Sequence, residues 1–232
     1  IDLYSMSHFP KVGTKRFGNV AVELEIADRE VITPIREATP DAEMIYLEGN
    51  HEYRLKGMIA QFLPQLDGFQ GLSVQGALKL KQRKIKYIEG RGSTKNGMYQ
   101  INENLLAMHG VRCGINAAKQ TAEKWGKGCT IQGHVHKRAM YSRTTGSGKH
   151  IQGLSAPCMC ELPDFGDGIC DYSWGFITYQ WREDNGNYQT QFQDMNRDGT
   201  ELYANQLGSV PLTIYAKHVR GKNGKSRWTT ST

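Results

Sequence analysis

The 232-residue chain has no apolar run near the roughly 20 residues that a membrane-spanning helix requires, so no membrane partner is expected. No signal-peptide pattern opens it, and it carries no low-complexity tract and no internal repeat. Cysteine is scarce. The five thiols, Cys113, Cys129, Cys158, Cys160 and Cys170, are odd in number in a chain that is neither short nor secretory. Reduced thiols in a cytoplasmic protein are the expectation. Cys158-Met159-Cys160 is a C-x-C pair with no second pair to complete a zinc site, and is read as two thiols in a strand or turn. Acidic residues fall short of basic ones, 23 against 29, for a net charge of +6. That balance favours contact with phosphates, but many enzymes of small phosphate esters share it, so charge alone does not select nucleic acid.

Hydrophobic residues make up 38% of the sequence, enough for one sizeable domain or two small ones. Apolar spacing predicts helices over 17–38, with a kink or a restart at Pro34, and over 51–66, with Leu55, Met58, Ile59, Phe62 and Leu63 on one face. Further helices are expected over 72–80 and 114–125. Short apolar runs predict strands at 44–47, 85–88, 104–108 and 128–132. After residue 138 the texture becomes mostly β, with strands expected over 139–144, 149–154, 174–181 and 188–192 between Gly- and Asn-rich turns. Trp174, Phe176, Tyr179 and Trp181 read as core. One domain is expected over 1–216 and a basic, mobile tail over 217–232. Helix and strand alternating first, then strands, make a mixed α/β layered fold.

Three of the predicted strands end in chemistry. Strand 44–47 runs into Gly49-Asn50-His51-Glu52, strand 104–108 into His109-Gly110, and strand 128–132 into Gly133-His134-Val135-His136. Ligands of open α/β sheets collect at the carboxyl ends of strands, and four of the seven histidines stand at these ends. Neutral imidazole is a ligand for zinc, iron, nickel and copper, while an amide oxygen is a harder donor that suits manganese. Glu52 is read as supporting this site by hydrogen bonds rather than binding metal.

"GNHE", then a strand-end histidine, then "GHVH", in this order over 49–136, resembles the calcineurin-like metallophosphoesterases, particularly those of phages and bacteria. The resemblance implies a four-layer α/β/β/α sandwich and hydrolysis of a phosphomonoester or phosphodiester in the cytoplasm of a bacterium or an infected host cell. It implies two divalent ions, manganese first, with zinc, iron or nickel as alternatives. Asn50, His109 and His134 would bind one ion and His136 the other. Asn50 would also touch phosphate, His51 would act as general acid, and Arg54 and Arg112 would grip phosphate oxygens.

The family's D-x-H and G-D-x-x-D motifs do not precede Gly49. Asp2 is read as the last residue of a G-D-x-x-D that begins before Ile1, and as the partner that orients His51. On that reading the sequence lacks the fold's first strand or strands, and this polypeptide alone has little activity. The basic run Lys79, Lys81, Arg83, Lys84 and Lys86 is by default a solvated face, with a nucleic-acid backbone as its functional alternative. Two other readings stand beside the first: a DNA nuclease of phage replication or repair, and a degenerate, non-catalytic binding module.

Overall fold

A computed structural model describes residues 3–6, 19–90, 96–159, 172–182, 185–195, 217–220 and 226–229. Across these residues the protein is mixed α/β, and the chain divides into two units, Ile1–Met98 and Tyr99–Thr232.

The first unit opens with α1 (Val20–Ala27), capped by the Asn19 side chain, which accepts from the Val22 N–H at 2.9 Å. Pro34 has no N–H to offer the carbonyl four residues back, and its ring crowds that carbonyl. The chain widens one turn, and the α-helix restarts at Thr33 with Pro34 in its first turn. Asp28–Ile32 is π-helical, the Thr33 N–H donates to Asp28 O five residues back, and α2 (Thr33–Ala38) continues the run. Strand β1 (Met44–Leu47) follows, then α3 (Asn50–Phe62), a single 3-10 turn at Pro64–Leu66, the short α4 (Val74–Ala77) and β2 (Ile85–Ile88). Strands β1 and β2 pair in parallel, and Tyr46 stacks on its register partner Tyr87 with ring centroids 5.6 Å apart. Leu3, Leu24, Ile32, Val74, Leu78, Leu80 and Ile85 form the core.

Two helices depart from expectation. The helix predicted over 72–80 shrinks to α4, because its Leu78 and Leu80 are drawn inward from a tight turn rather than from a helix face. The apolar face predicted on α3 is only partly covered: Leu55 packs on the core, whereas Met58, Phe62 and Leu63 are 43%, 62% and 44% exposed.

The second unit is built on a five-stranded sheet in the order β3 (Met98–Asn102), β4 (Leu105–Met108), β5 (Cys129–Gln132), β7 (His150–Ser155), β6 (Ala139–Thr144). β4, β5 and β7 are mutually parallel, and β6 runs antiparallel to β7. Strand β3 was not among the expected strands. It is joined to β4 by a turn in which Asn102 Oδ1 accepts from the N–H groups of Asn104 and Leu105. Helix α5 (Ala117–Trp125) lies on one face of the sheet, and a Cβ built on Gly153 of β7 would fall 2.2 Å from Ala118 O. Only glycine lets the helix sit that close. On the other face, Leu105, Cys129 and Leu154 meet Ile177, Tyr188 and Phe192. The last three belong to the antiparallel pair β8 (Gly175–Trp181) and β9 (Tyr188–Asp194). The unit is thus layered helix, sheet, sheet. Of the four aromatics expected in the core, Tyr179 and Trp181 are 37% and 44% exposed and meet each other instead, with ring planes tilted by 30°. Within the stretch expected to be a tail, β10 (Lys217–Arg220) and β11 (Ser226–Thr229) pair antiparallel.

Candidate metal centre

Parallel register sets the geometry of the second unit's site. Met108 of β4 lies opposite Gln132 of β5, so His109 and Gly133, one residue on, leave the sheet side by side. The two strand ends are held firmly. The Gly133 N–H donates to Met108 O, and the fully buried Gln132 side chain accepts from the Thr121 hydroxyl of α5 at 2.5 Å. Gly110 has φ +89°, and a Cβ there would fall 2.9 Å from Gln132 Oε1, so the chain turns away from His109 through a residue without a side chain.

The histidines after β5 do not have that freedom, yet both take positive φ: +68° at His134 and +61° at His136. Around His134 the Val135 N–H donates to Gly133 O at 2.8 Å, closing a three-residue γ-turn of the rare, strained positive-φ form. Each such residue costs on the order of 1–3 kcal/mol and persists only where its surroundings enforce it. The turn delivers His134 onto His109. Their rings meet edge to face at 69°, with His109 Nε2 3.1 Å from His134 Nδ1. On the far side of the same ring, His134 Nε2 lies 3.1 Å from the exposed Cys113 Sγ. His136 is turned to other company: its ring packs edge-on against Tyr172 at 4.8 Å, and its carbonyl accepts from the Ser173 N–H. Arg112 is exposed in the loop beyond Gly110.

Two nitrogens bound to one ion at about 2.0–2.1 Å stand roughly 2.9–3.4 Å apart for octahedral or tetrahedral angles, and the His109–His134 separation lies in that range. Nitrogen chemistry and spacing therefore suit one ion at this pair. Among the described residues, no three His, Cys, Asp or Glu side chains converge.

The remaining sequence candidates lie in the first unit. Asn50 and His51 are the first two residues of α3, both half-buried, and Arg54 stands one turn on. Asp2 lies outside the described residues, as do Cys160 and Cys170. Glu52 acts as the expected support: its buried carboxylate accepts from the Gly49 N–H and the Tyr46 hydroxyl, both at 2.8 Å. A second buried carboxylate, Glu48, went unremarked in the sequence. It accepts from the Tyr87 hydroxyl at 3.0 Å and the Gly90 N–H at 2.6 Å. Burial raises the Tyr46 and Tyr87 phenols well above the ordinary value of 10, and the carboxylates beside them add to the effect. Burial also pushes the Cys129 thiol up to about 12. Cys113 escaped sequence reasoning because its contact with His134 spans 21 residues and no motif announces it. Comparison with protein-family models, with curated proteins and with solved structures found no match to this chain.

Proposed function

We propose that the protein is a metal-dependent phosphoesterase in which His109 Nε2 and His134 Nδ1 hold one divalent ion. The observation that carries this reading is their 3.1 Å separation, reached through positive-φ backbone at His134. The order of "GNHE", strand-end histidine and "GHVH" supplies the reaction class, and the helix–sheet–sheet layering of the second unit accords with the α/β/β/α sandwich that order implies. Bound divalent ions supply an acidified water and a clamp for the phosphate. His134 stays neutral with Nδ1 unprotonated, which leaves its Nε2–H to face Cys113 Sγ and fixes the ring by a contact on its outer side. The other assignments go with the proposal: Asn50 as a further ligand of that ion, His136 as a ligand of a second ion, His51 protonating the leaving oxygen with Asp2 orienting it, and Arg54 and Arg112 on phosphate oxygens.

The test is cobalt(II) or zinc titration of the full chain beside His109→Ala and His134→Ala, followed by hydrolysis of p-nitrophenyl phosphate and its bis-ester with manganese. Each variant is expected to lose at least tenfold in metal affinity. A His51→Ala chain should keep the metal and lose turnover. Equal metal affinity in wild type and the His109→Ala/His134→Ala double variant would overturn the proposal and leave the pair a plain imidazole–imidazole hydrogen bond.

A further inference from the structure

The densest run of positive charge sits in the first unit between α4 and β2, where Lys79, Lys81, Arg83, Lys84 and Lys86 fall within eight residues that contain no acid. Its backbone is two helix-ending turns in succession. After α4, the Lys79 N–H donates to Gly76 O and the Leu80 N–H to Gln75 O. Five residues later the pattern repeats, with the Lys84 N–H to Lys81 O and the Ile85 N–H to Leu80 O. Both are Schellman motifs, whose left-handed residue is usually glycine because a side chain is strained there. Here that residue is lysine both times, with φ +51° at Lys79 and +55° at Lys84. The chain contains 26 glycines and uses none at either place.

The core fixes this loop from below. Leu78, Leu80 and Ile85 are buried, while Lys79, Lys81, Lys84 and Lys86 are exposed. Arg83 is committed to Asp28 at 2.7 Å. Among the described residues, no ion pair or hydrogen bond reaches the side chains of Lys79, Lys81 or Lys84. Other cations of the unit are paired: Arg29 with Glu30, Lys56 with Glu89, and Arg36 with three carbonyls. A merely solvated face has no use for lysine at two positions where glycine is unstrained. No exposed residue of the loop is apolar, so it lacks the side chains that a membrane-surface segment inserts.

We infer that the Lys79–Lys86 loop is a rigid contact surface for the phosphodiester backbone of a nucleic acid, read by charge and not by base. This rests on the loop alone and holds whether or not the histidine pair binds metal.

The experiment is anisotropy of labelled single-stranded DNA, duplex DNA and single-stranded RNA with the full chain in EDTA, across a salt series. EDTA keeps the outcome separate from that of the metal proposal. Three phosphate contacts, from Lys79, Lys81 and Lys84, predict log affinity falling with log salt at a slope of about −2 to −3. The Lys79→Gly/Lys81→Ala/Lys84→Gly variant should reduce that slope by about 1 per lysine and bind at least tenfold more weakly at low salt. It should melt no lower than wild type, because two strained residues become glycine. Lys127→Ala, an exposed lysine of the other unit, serves as the control and should bind as wild type does. Wild-type affinity in the triple variant, binding indifferent to salt, or phosphatidylserine vesicles bound in preference to every oligonucleotide would each overturn the inference.

Discussion

The ends of β1 and β5 carry the same sequence device, a short apolar strand, a glycine, then histidine, and they do different things with it. At β1 the chain enters a helix directly. Gly49 is extended, Asn50 begins α3, and two buried carboxylates tie the junction to Tyr46, Tyr87 and the backbone. At β5 no helix begins, and the chain is bent through two positive-φ histidines while a buried Gln132–Thr121 bond anchors the strand. The first end holds its histidine on relaxed backbone and spends buried charge on holding the loop. The second bends strained backbone to aim a ring at its neighbour. A strand-end histidine is therefore not one structural object, and its backbone tells which kind it is.

Breaking the β1 end should have the largest effect. Glu52→Ala orphans the Gly49 N–H and the Tyr46 hydroxyl in a buried setting, and hydrogen bonds to a charged group are worth about 1.5–3 kcal/mol each. Stability is expected to fall by roughly 3 kcal/mol in urea unfolding, with Glu52→Gln recovering part of it. The same substitution made at both ends sharpens the comparison. His51→Gly places glycine in the first turn of α3 and should cost about a few tenths of a kcal/mol. His134→Gly and His136→Gly release positive-φ strain and should each gain about 1 kcal/mol, while His134→Gly forfeits metal binding. Equal signs at the two ends would erase the distinction. The smallest effect is confined to alkaline pH. Tyr46 and Tyr87 are held protonated in the fold and ionise near 10 when unfolded. Their contribution is fully present below that pH and is lost as pH rises through 10 and beyond. Urea midpoints should fall from pH 9 to 11, and less steeply in Tyr46→Phe.

Much of this was legible in residue order. Short apolar runs located β1, β2, β4, β5 and the four strands from Ala139 to Asp194, because each is bounded by turn residues. The meeting of His109 and His134 follows once β4 and β5 are parallel neighbours, since both histidines stand just past the same level of the sheet. Backbone sign was not legible. Nothing in the residue types at Lys79, Lys84, His134 or His136 announces positive φ, because surrounding contacts impose it. Long-range partners were equally silent, as with Cys113 on His134 and Glu48 on Gly90. The helix read over 72–80 failed because the chain leaves α4 through positive-φ backbone at Lys79, which its residue type does not announce.

The widened turn at Asp28–Ile32 has a consequence for how this protein can vary. Val22, Ile26, Val31 and Ile35 are spaced four, five and four apart, and all four are 44–48% exposed. The extra residue accounts for the spacing of five and keeps the two halves of the run in phase. Losing one residue there would return the segment to an ordinary α-helix and rotate everything beyond it by about 100°. Ile32 would leave the core. A stretch that looks like a dispensable surface helix is in fact intolerant of a single-codon deletion.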